Sequence, residues 1–315
     1  MFVKKASLGL EFSNFLGGVM KKVFSIAMIF FAMTASLFSS HKVVYLISPP
    51  RSMSVAFTRM MQARGDFEIY HEPSQYAYDK IYYPELTAGW FRGEAIPTFE
   101  QVKSELLTKA EQKNVFAKEV SFAVEEFLLN NLTFVQNPAV QFVFLIRNPH
   151  HTAISFYYKL GVWPEELNFL IGYKAEYEIF QFVKKHAVNK PFILMTEDLY
   201  NRPEETIKAF CERLEMPFLP ESMHWSDLSA DFTGEQEWHE LKVPNITHHW
   251  HGDAIRSTGF SKPRPYEVDE QNKPTFSEIK NENHRLLIQQ AYLENLPYYE
   301  KLMSEHEYFL LPVDK

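Results

Sequence analysis

The chain has one cysteine, Cys211, among its 315 residues, which excludes an internal disulfide. Its setting, IKAFCERLEM, has helical spacing with apolar neighbours and reads as a buried structural thiol rather than a nucleophile. A basic surface stripe is missing as well. Lys and Arg total 32 against 40 Asp and Glu, for a net charge of −8, so no nucleic-acid partner is expected. That balance still leaves room for one small anionic ligand in a local basic pocket. No internal repeat or low-complexity linker divides the chain, which favours one domain over several. The 46% hydrophobic and 23% charged fractions are ordinary for a folded protein with ample length for a core.

The stretch SPPRSMS (48–54) also lacks something. A strand over Val43 to Ile47 runs into two prolines, an arginine and small hydroxyl residues, followed by a helix over Ser54 to Ala63. The common phosphate loop needs G-x-x-x-x-G-K-[ST] at such a junction, and here there is neither glycine nor lysine. What remains can still hold an anion. Backbone N–H groups at a helix start, aided by the helix dipole, cradle negative charge. Arg51 adds a planar, permanently charged fork, and Ser52 and Ser54 add hydroxyl donors. A plain N-capped helix after a proline turn is the alternative for the same residues.

The N-terminus has its own pattern. Lys21 and Lys22 precede the apolar run Val23 to Phe38, and Ser39 and Ser40 follow. Basic, apolar, small is the order of a secretory signal, although no Ala-x-Ala site occurs. The run is shorter than the ~20 residues of a full membrane span. Residues 1–41 are therefore expected to be a signal-like or leader segment, with any membrane contact confined to residues 23–38. An exported protein is the first expectation; a membrane-anchored or cytoplasmic one is the alternative. Met20 can also serve as the true start.

Beyond the leader, strands and helices alternate. FEIYHEP gives a second strand ending near Tyr70, and NVFAKEV a third around Val115 to Ala117 after a helix near Thr98 to Glu111. VQFVFLIRNP is a fourth, an unbroken apolar run of the kind found inside parallel sheets. PFILMTEDL is a fifth, followed by the helix RPEETIKAFCERL. This order implies a three-layer α/β/α domain over residues 42–315 with a central parallel sheet. Ligands of such sheets gather at the carboxyl ends of the strands, where Arg51, Glu72, Lys118, Arg147 and Glu197-Asp198 fall. In IRNPHHTAIS, Asn148 can cap a helix that begins at Pro149. Ser155 lies about two turns into that helix, facing back towards Arg147, so the pair can clamp a second phosphate.

SPPRSMS and RNPHHTAIS together resemble the two cofactor segments of sulfotransferases that use 3′-phosphoadenosine 5′-phosphosulfate. ILMTEDLYNRPEETIKAFCERLEMPF is similar to that family's strand-helix segment, and SPPRSMSVAFTRMM…HEPSQYAY with WHGDAIRSTGF resembles a bacterial and fungal sulfotransferase-like branch. The likeness covers roughly residues 42 to 262. It implies a P-loop-like sulfotransferase fold and sulfuryl transfer to a hydroxyl or amine of a small-molecule or carbohydrate acceptor. It also implies a first loop (Arg51, Ser52, Met53, Ser54) on the 5′-phosphosulfate and an Arg147/Ser155 pair on the 3′-phosphate. Ser257, Thr258 and Gly259 would lie in a loop closing near the 3′-phosphate or adenosine. Many members carry lysine where Arg51 stands and glycine near Met53, so Met53 requires a turn that avoids positive φ.

Such chemistry needs positioning, charge neutralisation and a base, with no metal and no covalent intermediate. Glu72 is the candidate base, as in some carbohydrate sulfotransferases that the segment HEP resembles; His71 competes for the role. Lys118 can assist the leaving phosphate in place of the missing loop lysine. The cluster THHWHGD (His248, His249, His251, Asp253) invites a metal reading, but its spacing matches no zinc signature and no metal is expected. The aromatic stretch from Tyr76 to Phe99, with Trp90 and Phe91, can form an acceptor lid or a structural insertion. A nucleotide-binding relative without turnover stays open beside the enzyme, and a nucleotide kinase more distantly.

Overall fold

The computed structural model describes residues 41–87, 95–161, 165–228, 246–263, 267–271 and 273–306. The leader up to residue 40, with its expected membrane contact at 23–38, lies outside them, as do Trp90 and Phe91. No helix among the described residues is long and apolar enough to cross a membrane.

Five strands are found where the apolar runs predicted them: β1 (Val43–Ser48), β2 (Phe67–His71), β3 (Asn114–Val120), β4 (Val140–Ile146) and β5 (Phe192–Met195). All neighbouring pairs are parallel, in the order β2-β3-β1-β4-β5. β1 sits in the middle, and every residue of VVYLIS is buried, as a strand covered on both faces requires. The alternation along β1 divides its side chains between two cores. Val43, Tyr45 and Ile47 enter one, Val44 and Leu46 the other.

The helices of eight residues or more are α1 (Ser54–Arg64), α2 (Gln75–Tyr82), α3 (Phe99–Ala110), α4 (Ser121–Leu129), α5 (Pro149–Leu160), α6 (Tyr173–His186), α7 (Pro203–Arg213), α8 (Ile246–Arg256) and α9 (Glu282–Glu305). α1 and α7 cover one face of the sheet through Phe57, Met60, Ile207 and Phe210. Cys211 is buried in that layer, as its setting predicted. α3, α4, α5, α6 and α9 cover the other face through Leu106, Val124, Ala153, Ile179 and Ile288. The expected three-layer α/β/α architecture with a parallel sheet is therefore present.

Local signals explain two helix starts. Asn148 accepts a hydrogen bond from the His150 amide at 3.0 Å, with Pro149 in the first turn of α5. Thr98 and Gln101 form a reciprocal capping box at α3. Because the sheet is parallel, the chain leaves β1, β2, β3 and β4 on one edge, and that edge carries the charged residues.

Candidate functional site

A cavity of about 460 Å³ opens at this edge. Its first wall is the loop between β1 and α1. Arg51 and Met53 both have φ 63, in the left-handed region. The expectation that Met53 keeps the turn out of positive φ is wrong. Two left-handed non-glycine residues cost about 1–2 kcal/mol each, so their surroundings must hold them. The ties are visible: Arg147 Nη1 donates to the Arg51 carbonyl at 2.6 Å, and Thr196 Oγ1 to the Ser52 carbonyl at 2.8 Å. Met53 also packs on the core beneath α1. Behind the loop the buried Pro50 lies against Gly172, where an added Cβ would meet Ser121 Oγ at 2.6 Å. No side chain caps the α1 N-terminus, so its first-turn N–H groups have neither a capping oxygen nor an intrahelical acceptor. Ser52 is fully buried and its hydroxyl has no protein partner among the described residues; Ser54 lines the cavity.

The two arginines meet at the loop. Beyond holding the Arg51 carbonyl, Arg147 keeps its Nε buried and without a protein partner among the described residues. Ser155 does face back along α5, but it accepts its hydrogen bond from Arg51 Nε, at 3.2 Å, and none from Arg147. Arg51 Nη1 donates to the Trp250 carbonyl at 2.7 Å and so fastens α8 over the loop. Arg51, Arg147 and Ser155 all line the cavity.

The opposite wall comes from β2 and β3. Lys118 is 2% exposed and its ammonium pairs with the Glu72 carboxylate. Glu72 sits just past β2 with φ 50, and its amide donates to the Lys118 carbonyl at 2.6 Å. Glu119, the next residue on β3, accepts from the Ser74 amide at 3.1 Å and pins the same turn. Burial alone would raise the Glu72 carboxyl, but the Lys118 ammonium holds it well below the usual carboxylate range. Burial pushes the His71 imidazole down to about 3, so it is neutral near pH 7.

Of the histidine cluster on α8, the side chains of His251 and Asp253 are described, and they have different partners. His251 packs edge-on against His71, ring centroids 4.6 Å apart, whereas exposed Asp253 pairs with Arg256 and Lys159. The side chains of His248 and His249 lie outside the described residues. The group that could offer ligand atoms to a metal is instead His71, Glu72 and His251, whose atoms lie within 4.8 Å of one another. Its carboxylate is already engaged by a lysine cation.

Ser257 and Gly259 line the cavity; Ser257 Oγ accepts from Trp225 Nε1 at 3.0 Å and donates to the Ala254 carbonyl. Thr258 is exposed and does not line it. The expected aromatic lid is divided. Tyr76 and Tyr83 line the cavity, while Phe99 is core, stacked on Phe127 with centroids 4.8 Å apart. Sequence reasoning missed several lining residues, among them Trp250 and Asp79. The second carried a signal: Tyr76, Asp79 and Tyr83 recur at the spacing of one helix face.

Comparison with known proteins follows from this geometry. No protein-family model matches the chain. Two Arabidopsis thaliana proteins are similar to it. "Branched-chain-amino-acid aminotransferase-like protein 2" is 26% identical over 232 residues, and "Branched-chain-amino-acid aminotransferase-like protein 1" is 24% identical over 233. Each match covers 71% of this chain, which spans only 37% and 38% of those two proteins. Among solved structures, the sulfotransferase domain from the curacin biosynthetic pathway has a TM-score of 0.44 at 13% identity, covering 81% of this chain and 97% of its own. The sulfotransferase domain from the Synechococcus PCC 7002 olefin synthase scores 0.44 at 16% identity, covering 81% and 96%. Mouse sulfotransferase SULT7A1 complexed with PAP scores 0.37 at 12% identity and covers 85% of each chain. At these scores none of the matches fixes an activity.

Proposed function

We propose that this chain is a sulfotransferase that moves a sulfuryl group from 3′-phosphoadenosine 5′-phosphosulfate to a hydroxyl or amine of a small acceptor. The observation that carries the reading is the meeting of Arg51 and Arg147 at one cavity wall, opposite the Lys118–Glu72 pair. The residues fit the donor. The uncapped α1 N-terminus, the unpartnered Ser52 hydroxyl and the unpartnered Arg147 Nε are buried donors with no protein acceptor among the described residues, which an anion with several oxygens would satisfy.

When bound, the donor supplies an electrophilic sulfur and a phosphate leaving group. Transfer would exchange the bridging S–O bond for a bond from sulfur to the acceptor oxygen or nitrogen, whose proton would pass to a protein base. The loop of Arg51 to Ser54 would hold the phosphosulfate, and Arg147 the 3′-phosphate. Ser155 orients the Arg51 fork. Glu72 takes the acceptor proton. Any anion near Lys118 competes with Glu72 for its ammonium, and that competition raises the basicity of Glu72. Nucleotide binding and activation of the base are thereby coupled. His71, neutral but weakly basic, orients rather than titrates.

The aminotransferase-like names belong to relatives of which the chain spans under two fifths. Titration calorimetry with 3′,5′-diphosphoadenosine, 5′-AMP and ATP separates the candidates. Tight binding that depends on the 3′-phosphate is expected. ATP hydrolysis indifferent to a 3′-phosphate would sink the sulfotransferase reading.

A further inference from the structure

The cavity lining combines two chemistries. One part is charged, with Arg51, Arg147, Lys118 and Glu72. The other is apolar and aromatic, with Tyr76, Tyr83, Phe122, Leu160 and Leu170, and the Asp79 carboxyl lies in the same lining. α2 delivers this carboxyl by periodicity, since Tyr76 and Asp79 stand three residues apart on one helical face and Tyr83 follows at the helix end. Asp79 accepts a hydrogen bond from Gln75 Nε2 at 2.8 Å. Among the described residues no cationic side chain pairs with it, whereas the Glu72 carboxylate of the same cavity is paired with Lys118.

A carboxylate in an apolar wall without a counter-ion carries a desolvation cost that a bound cation relieves, as protonation also does. Its surroundings match that conclusion. Burial, followed by the nearby negative charge of Glu72, pushes the Asp79 carboxyl up to about 6. Tyrosine faces beside it attract an ammonium group through their ring quadrupoles. A free anion would meet the negative charge of Asp79.

From this we infer that the acceptor is a compact amino alcohol or aminophenol whose ammonium is held by Asp79 between Tyr76 and Tyr83 while its hydroxyl points to Glu72. This rests on the sulfuryl-transfer reading for the role of the hydroxyl, but not for the recognition of the ammonium. The assignment narrows the acceptor class from small molecules and carbohydrates to cationic ones. Asp79 is then a specificity residue that touches the substrate away from the reacting atoms.

The test uses the full chain saturated with 3′,5′-diphosphoadenosine and matched pairs of ligands that differ by one positive charge. Choline is compared with 3,3-dimethylbutan-1-ol, and 2-(4-hydroxyphenyl)ethylamine with 4-ethylphenol. Calorimetry should give at least one cation a tenfold or greater preference over its neutral partner, about 1.4 kcal/mol. Asp79→Asn, which keeps the shape and the Gln75 contact, should bring that ratio to within about twofold. If no cation outbinds its neutral partner, or if the preference survives Asp79→Asn, the inference is overturned. The preference should persist in the protein without nucleotide. If it does while 3′,5′-diphosphoadenosine fails to bind, it is the transferase reading that falls and the ammonium site that stands.

Discussion

The Lys118 ammonium and the Glu72 carboxylate form an ion pair at the cavity wall, with the lysine side chain 2% exposed and the glutamate 16%. β3 supplies the cation and the turn after β2 supplies the anion, which the Glu72 amide locks to the Lys118 carbonyl. The pair keeps the proposed base ionised and quiet until something else attracts the lysine.

Glu72→Gln keeps the shape and removes the base. Transfer should fall on the order of 10²–10⁴-fold. Affinity for 3′,5′-diphosphoadenosine should not fall with it, because the freed Lys118 ammonium is then available to the nucleotide. Steady-state rates beside calorimetry check both halves. If the rate is kept in Glu72→Gln and lost in His71→Asn, the histidine is the base.

Arg147→Ala should weaken binding of 3′,5′-diphosphoadenosine by roughly 2–3 kcal/mol, the size of a lost charge-assisted contact, and that of 5′-AMP by far less. Arg147 also ties down the Arg51 carbonyl, so a second measurement is needed. An unchanged melting temperature in the variant separates lost contact from a loosened loop. Equal losses for the two nucleotides would remove the 3′-phosphate assignment.

Arg51→Lys retains the charge but loses the planar fork that now bridges Ser155 Oγ and the Trp250 carbonyl. Measurable transfer should survive in it, whereas Arg51→Ala should lose nearly all. Limited proteolysis within α8 should quicken in Arg51→Ala, since the link to Trp250 goes with the guanidinium.

At Met53 the backbone is left-handed, so a β-branched residue is strained there. Met53→Val should destabilise the protein by about 1–2 kcal/mol, read as a shift in urea midpoint. Met53→Gly relieves the backbone while giving up packing, and should lie close to wild type. A valine variant as stable as the glycine one would show the loop relaxing out of that conformation.

Glu176 on α6 is fully buried, and neither carboxyl oxygen has a protein partner among the described residues. Burial raises its carboxyl well above 4.5. A raised folded-state value means that its contribution is fully present below the unfolded value and is lost as pH rises above it. Glu176→Gln should therefore raise the melting temperature more at pH 8 than at pH 5. Equal gains at both pH values would mean that the carboxyl is not carrying the pH dependence.

Much of this was already legible in the order of residues. Short apolar runs rich in β-branched and aromatic residues read as strands buried on both faces, so VVYLIS and VQFVFLI pointed to a parallel sheet with helices on each side. Strand ends then put Arg51, Glu72, Lys118 and Arg147 on one edge, because parallel strands all leave a sheet on the same side. The spacing of Asn148 and Pro149 marked the start of α5. Partner choice lay beyond that reach. Nothing local says that Lys118 pairs with Glu72, 46 residues away, or that Ser155 turns to Arg51 rather than to Arg147. The left-handed turn at Met53 was misjudged for the same reason. Intrinsic preference opposes it, and it survives through ties from Arg147 and Thr196, which fold in from β4 and from the end of β5. Periodicity and propensity act over a few residues and fix the elements; the contacts that set charge, strain and basicity in the cavity form only when distant strand ends are packed side by side.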